Sequence, residues 1–451
     1  MNTSETAEIR QHMERLAAEG IDVVRVVYPD LLGTDRARDV LLDQLPGACE
    51  HGLAFCVVVY HTTPQGDVVP VLGGLEAGLP DVTVRPDLST LKALPWEPGV
   101  ATCLAEVTHP AGSGAAAESP RDLLRAVLAR CAEHGLRPVI GPELEYFMLE
   151  PAPGTPTGWR RHPETTGAIY TAGLRADPDN HLLRTLRHLR DLGIGATNGN
   201  HEFDGGQYEI NLTHSEALDA ADRAFRFKAA VKELARREGK LATFMARPFN
   251  DADGSGFHLH VSGVGEEGRN LFDDPSGAHG LSDTARRAVA GILAHAPALT
   301  ALANPTINSY KRFGEDTLGP WLIDWGLDNR TAMVRVPPER GAGSRLEVRL
   351  GDASANPYLL IAGIAAAMLL GVLADEQPPT PLEGYGYDPE RSAVLPMSLS
   401  AALDALEADT AFADLLGKDF VAAFLSYKRN EVKRFQRHVT DWEFTEYAYH
   451  L

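Results

Sequence analysis

Residues 137–149 read RPVIGPELEYFML. β-Branched and aromatic residues recurring with a period of two predict a strand, in which Glu143 and Glu145 share one face while Leu144, Tyr146 and Met148 share the other. Two carboxylates therefore leave the strand on the side opposite its apolar residues. On a solvated face such a pair is bland; in a cleft it is a candidate metal site.

Three further stretches extend the pattern. In residues 198–213, NGNHEFDGGQYEINLT, a two-residue turn at Gly205-Gly206 predicts a hairpin with Glu202 directly opposite Glu209. Like charges facing across a hairpin are destabilising, and a bound cation reverses that sign; a different turn register would separate the two acids. In DGSGFHLHVS, residues 253–262, His258 and His260 share a strand face, with Phe257, Leu259 and Val261 behind. In SRLEVRL, residues 344–350, Arg345, Glu347 and Arg349 line one face of a strand and Leu346, Val348 and Leu350 the other. Arg312, Arg330 and Arg335 sit among apolar or Gly-rich neighbours, a setting that suits recognition of phosphate and carboxylate by guanidinium forks. Taken together, five glutamates and one or two histidines can hold hard divalent ions such as Mg²⁺ or Mn²⁺, and the arginines can bind anions. That is equipment for phosphoryl transfer.

Other chemistries lack their motifs. No G-x-x-x-x-G-K-[ST], G-x-S-x-G or H-E-x-x-H occurs, and the G-x-G-x-x-G at Gly263–Gly268 is followed by RNLFDDP rather than a helix, so it is expected to be a hairpin loop. A length of 451 residues allows two or three domains and a large core. The 62 acidic against 42 basic residues give a net charge of -20, which argues against nucleic acid or an anionic membrane as a partner. Four scattered cysteines without a C-x-x-C pair fit a reduced cytoplasm, and the polar, amphipathic N-terminus has no signal-peptide core. The uncharged run Tyr358–Ala374 is expected to be a buried helix started by Asn356-Pro357 rather than a membrane span. Residues from about 20 to 107 predict a small sheet, including strands IDVVRVVY, AFCVVVYH, DVVPVL and ATCLAEVTH. Pro110–Pro120 is linker-like, with Ser119 as N-cap and Pro120 opening a helix to His134; further helices are expected near His181–Asp191, Ala217–Glu238 and Ser282–His295. The domains expected are 1–109 and 110–451.

In chain order, GPELEYF, NGNHEFDGGQYEIN, DGSGFHLHVS, NSYKRF, DNRTAMVRVP and SRLEVRLGDASANPYL resemble the signature segments of the glutamine synthetase superfamily, type I. LPDVTVRPDLSTL and WEFTEYAYHL resemble it more weakly. The resemblance implies an α+β fold: an N-terminal β-grasp domain and a catalytic domain with a curved antiparallel sheet and flanking helices. Active sites are then shared between subunits of a homo-oligomer, expected to be a dodecamer of two hexameric rings. It implies that Glu145, Glu202 and Glu209 hold the metal on the acid substrate's side, and that Glu143, His258 and Glu347 hold the metal bridging the nucleotide phosphates. Two to three ions per site are expected. Arg312, Arg330 and Arg349 match the arginines that hold glutamate and the acyl phosphate, Arg335 and Arg345 match phosphate contacts, and Gly254 and His260 match substrate-loop and nucleotide positions. The implied substrates are ATP, glutamate and an amine.

Three positions depart from the family pattern. Leu318 stands where the flap carries an ammonium-site glutamate, Cys56 or Val57 where a second loop carries an aspartate, and Asp253 where asparagine is usual. Replacing both ammonium-site acids by apolar groups points to an organic amine as the nucleophile. Ammonia remains the alternative, and a non-catalytic scaffold or sensor a second one.

Overall fold

The computed structural model describes all residues except 1–2, 70–77, 109–117, 166–168, 266–267, 316 and 450, together with the side chains of residues 3–4. Most of the linker expected at Pro110–Pro120, the second half of strand DVVPVL, Glu266-Glu267 of the glycine-rich loop and Asp316 therefore lie outside the described residues.

The first part of the chain runs α1 (Thr3–Ala18), β1 (Val23–Pro29), β2 (Asp35–Leu41), α2 (Leu45–His51), β3 (Leu53–Cys56), β4 (Asp81–Pro86), β5 (Lys92–Ala93) and β6 (Val100–Thr108). Its six-stranded sheet has the order β2-β1-β6-β4-β3 with β5 on β6, and β1 pairs with β6 in parallel. The strand expected across AFCVVVYH stops at Cys56, and Val57–His61 turns into a 3₁₀ segment that buries Val57, Tyr60 and His61. A β-branched run cannot distinguish a strand from an apolar turn that tertiary packing buries.

Helix α3 (Pro120–Glu133) follows. Ser119 does not cap it by the expected backbone bond; its hydroxyl donates to Asp122 Oδ2 at 2.6 Å, and Pro120 supplies the start. Then come β7 (Arg137–Pro151), β8 (Trp159–Arg161), α4 (His181–Asp191), β9 (Ala196–His201), β10 (Gln207–Leu212), β11 (Ser215–Glu216), α5 (Ala217–Arg237), β12 (Leu241–Thr243) and β13 (Phe257–Val264). After α6 (Asp283–Ala294) and α7 (Ala296–Ala303) come β14 (Leu322–Ile323), β15 (Trp325–Leu327), β16 (Val334–Val336), β17 (Leu346–Val348) and α8 (Pro357–Ala374). The chain closes with β18 (Ala393–Val394), α9 (Leu399–Ala408), α10 (Thr410–Leu416), α11 (Lys418–Gln436) and α12 (Asp441–Tyr447).

Ten strands form one sheet with the order β15-β16-β17-β13-β7-β10-β9, while β8, β11 and β12 also pair along the long β7. The glycine-rich loop is a hairpin loop as expected, since Gly265 N–H donates to Arg269 O at 3.0 Å. The uncharged run is indeed a core helix: α8 is 78% buried and packs against α3, α5, α6 and α7, with the Asn356 side chain accepting from Tyr358 N–H. The fold is α+β, and one hydrophobic core runs from the small sheet through the large one to the C-terminal helices. Asn356 also ties the start of α8 to the small sheet, because its Nδ2 donates to Asp30 O at 3.1 Å and Leu31 O at 3.3 Å in the turn between β1 and β2.

Candidate active site

Strand register, not sequence proximity, assembles the polar face of the large sheet. His258 pairs with Glu143 across β13 and β7, and Glu209 pairs with Glu145 across β10 and β7. His260 pairs with Glu347, which pairs in turn with Arg335. Because side chains alternate along each strand, Glu143, Glu145, Glu209, His258, His260, Glu347 and Arg335 project from one face.

The hairpin carrying Glu202 and Glu209 departs from expectation. Tyr208 pairs with His201 and Glu209 with Asn200, while Glu202 N–H donates to Gln207 O. The hairpin loop is therefore the four residues Phe203–Gly206, not two, and within it Gln207 N–H to Asp204 O closes a tight turn over Gly205-Gly206. Gly206 adopts φ 73°, and a Cβ there would lie 2.8 Å from Met148 O, so packing against β7 fixes this register. Glu202 and Glu209 are consequently diagonal rather than opposite neighbours, still on the shared face.

Ligand atoms of Glu143, His258 and Glu347 lie within 4.8 Å of one another, the tight potential metal group among the described residues. His258 Nδ1 is 3.1 Å from Glu143 Oε1, and His260 Nε2 is 3.4 Å from Glu143 Oε2. Burial opposes ionisation of Glu143, but the two imidazoles hold its carboxyl well below the usual range. Burial likewise opposes ionisation of Glu347, and Arg349, ahead of His258 and His260, holds it at about 2. Arg349 Nη1 donates to Glu347 Oε1 at 2.5 Å, and Arg335 pairs with the other oxygen and with Asp328.

The second acid group is looser. Glu145 accepts from Gly256 N–H at 2.9 Å and Gln207 Nε2 at 3.0 Å, and Glu202 accepts from Asn200 Nδ2 at 2.6 Å. Burial and then the neighbouring Glu145 push Glu202 up to about 7; burial and then Glu143, Glu145 and Glu202 push Glu209 well up. These carboxylates have amide and main-chain donors but too little positive charge, which is a donor set of hard oxygens suited to a divalent cation. In the first group His258 Nδ1 faces both acids, 3.1 Å from Glu143 Oε1 and 4.0 Å from Glu347 Oε1, so one imidazole nitrogen and two carboxylates converge. The residues present thus fit a metal.

The arginines surround this face. Arg312 is buried, donates to Leu350 O at 3.4 Å and feels Glu145 as its strongest favourable charge. Exposed Arg330 lies close enough to Glu202 to oppose the rise of its carboxyl. Gly254 O accepts from Gln207 Nε2 at 3.1 Å, and a Cβ at Gly254 would stand 2.4 Å from Arg312 Cγ. Asp253 precedes Gly254 on the same loop, its carboxyl raised by burial and by Asp204. Leu318, with φ 53° and 44% exposure, lies on the exposed flap after Arg312. Beside Glu143 a cavity of about 460 Å³ is lined by His260, Arg345, Ser262, Asn211 and His214. Arg345 Nε donates to His260 Nδ1 at 3.2 Å there.

The description "Glutamine synthetase, catalytic domain" fits residues 117–447. The chain belongs to the glutamine synthetase family. Glutamine synthetase of Halobacterium salinarum is 33% identical over 452 residues, which is 97% of this chain and 96% of that one. The enzyme of the same name from Thermococcus kodakarensis is 34% identical, covering 94% and 95%. Among solved structures, GmaS without ligand superposes with a TM-score of 0.84 at 33% identity over 97% of this chain and 99% of its own. The GmaS/ADP complex superposes with the same TM-score at 34% identity over 97% and 99%. As a member of the glutamine synthetase family, the chain is an ATP-dependent ligase that forms amide bonds.

Sequence reasoning missed two residues of this site, Gln207 and Tyr170. Gln207 shares the strand face of Glu209 two positions away, so the alternation rule that found the glutamates could have found it. Tyr170 had no such signal: it is 68% exposed on the segment before α4, its N–H donates to His201 O at 3.0 Å, and it faces Glu202, Glu209 and Arg330.

Proposed function

We propose that this family member joins glutamate to an organic amine through a γ-glutamyl phosphate, at the expense of ATP. The observation that carries this reading is the single sheet face on which five glutamates and His258 stand beside Arg349 and the nucleotide-sized cavity. Glu143, His258 and Glu347 would hold one Mg²⁺ or Mn²⁺, and Glu145, Glu202 and Glu209 another. When bound, such ions neutralise phosphate charge and polarise the transferring group.

The protein's own groups do the rest. Arg312 and the Asp253-Gly254 loop orient the acid so that its γ-carboxylate meets the γ-phosphate of ATP, with Arg330 and Arg349 offsetting the charge that builds on the transferred group. His260, Arg335 and Arg345 hold the nucleotide phosphates. The amine then attacks the acyl phosphate and releases phosphate, a step that a bare carboxylate would not allow at neutral pH.

Leu318 supports an organic amine over ammonia. Ammonium needs nearby carboxylates to attract it and take its proton, whereas an amine with a carbon body gains roughly 0.8 kcal/mol for each CH₂ it buries. The structural relative GmaS, a gamma-glutamylmethylamide synthetase, carries an alkylamine in the name of its product. The second reading, ammonia, is favoured by the relatives named glutamine synthetase and by exposed Glu315 on the same flap. The division into residues 1–109 and 110–451 belongs to the same proposal, supported by a family match that begins at residue 117.

Phosphate release with ATP, Mg²⁺, glutamate and a panel of amines tests the reading. An alkyl, aryl or hydroxyalkyl amine is expected to exceed ammonia by at least about tenfold in kcat/KM, and Leu318→Glu is expected to shift the preference toward ammonia. A wild type that prefers ammonia, and loses that preference in Glu315→Ala, would overturn it in favour of the second reading.

A further inference from the structure

Arg247 sits between the two loops that flank the acid-binding end of the site. Its Nε donates to Ala252 O at 2.9 Å, its Nη1 to Lys311 O at 2.9 Å and its Nη2 to Asn250 O at 3.0 Å. Its main chain is gripped by one side chain, since Arg247 N–H donates to Asn308 Oδ1 and Asn308 Nδ2 donates to Arg247 O, each at 2.9 Å. The Ala252 carbonyl belongs to the peptide bond that enters Asp253, and the Lys311 carbonyl to the one that enters Arg312. One guanidinium therefore holds the two peptide groups from which Asp253, next to Gly254, and Arg312 depart.

These loops have little slack. Ser255 N–H donates to Ala246 O at 2.8 Å, and a Cβ at Gly254 would lie 2.4 Å from Arg312 Cγ and 3.0 Å from Ala246 O. Among the described residues no carboxylate lies within ion-pair distance of Arg247. Its hydrogen bonds go to main-chain carbonyls, in a planar fork that an ammonium cannot reproduce, while its charge also favours the ionised carboxylate of nearby Asp253. The nucleotide-sized cavity is lined by other segments and shares no residue with 246–255 or 308–312.

We propose that Arg247 is a positioning residue for the acid substrate. It sets the separation between the Asp253-Gly254 loop and Arg312, and so governs affinity for the amino-acid carboxylate without touching it. This rests on the assignment of Asp253, Gly254 and Arg312 to the acid end of the site.

The test compares wild type, Arg247→Gln and Arg247→Lys as full-length proteins, by steady-state kinetics and by amide hydrogen exchange without substrates. Arg247→Gln is expected to raise KM for glutamate at least about tenfold with KM for ATP within about twofold, and Arg247→Lys to fall between. Exchange is expected to quicken together in 249–255 and 306–313. Should Arg247→Gln fail to fold, Arg247→Lys carries the comparison alone. Equal rises in both KM values, an unchanged KM for glutamate, or exchange unaltered in both loops would overturn the proposal. If wild type does not turn over glutamate, the acid assignment fails, and the exchange result alone decides whether Arg247 holds the loops.

Discussion

Glu347 is 1% exposed and is met by Arg335 and Arg349, so its negative charge is fixed before any metal arrives. Substituting Glu347→Gln keeps the shape and removes the charge. Turnover at saturating Mg²⁺ is expected to fall by at least about a hundredfold, measured as phosphate release, with the secondary structure seen by circular dichroism unchanged. A folded variant with near wild-type turnover would remove Glu347 from the metal site. The residues of this face were largely legible because period-two alternation is a local property: E-x-E, H-x-H and R-x-E-x-R each state their own geometry. What joins them was not legible. The offset between Glu202 and Glu209 depends on Gly206 pressing against β7 some sixty residues away, and no local rule carries that contact.

At the scale of elements, the join between the two sheets is polar and buried. Arg121 at the start of α3 donates to both carboxylate oxygens of Asp222 on α5 at 2.9 Å and to Asp87 beside β4 at 3.0 Å, while Tyr358 on α8 donates to Asp222 at 2.8 Å. Removing one partner strands the others, so Arg121→Ala is expected to cost about 3–5 kcal/mol, read as a lowered Tm. Lys228 on α5 donates to Ala353 O at 2.8 Å and Ala355 O at 2.9 Å, and burial, then Lys232, pushes its ammonium down to about 7. The folded state then binds fewer protons than the unfolded one between about pH 7 and the ordinary lysine value near 10.4. Stability from this residue is expected to rise with pH across that window, and Lys228→Met to flatten the dependence of Tm on pH. An identical slope in the variant would place the titration elsewhere. Helices such as His181–Asp191 were legible from their periodicity, whereas the 3₁₀ segment at Val57–His61 was not, since its Val and Tyr residues suit a strand equally well.

The whole molecule leaves apolar surface uncovered at its end. Val439, Trp442, Phe444 and Tyr447 are 46–72% exposed on and before α12, more than a lone soluble subunit usually shows in one place. Light scattering is expected to give a homo-oligomer, with a dodecamer as the proposed form, and deletion of residues 441–451 to shift the distribution toward smaller species. A wild type that is monomeric and fully active at nanomolar concentration would argue against sites shared between subunits.

The bonds from Asn356 to Asp30 and Leu31 bear also on time. They join residues 326 and 325 positions apart, so the turn between β1 and β2 emerges from the ribosome long before its anchor exists. At typical elongation rates that delay is roughly 15–65 s. For that interval the turn must hold its shape without that anchor, although Arg121, 34 positions after Asp87, is made early enough to tie the small sheet to α3. Until Asn356 appears, the turn is held by Asp30 Oδ1, which accepts from Leu32 N–H and Thr34 N–H at 2.9 Å each, so its shape is written locally before it is fastened from afar.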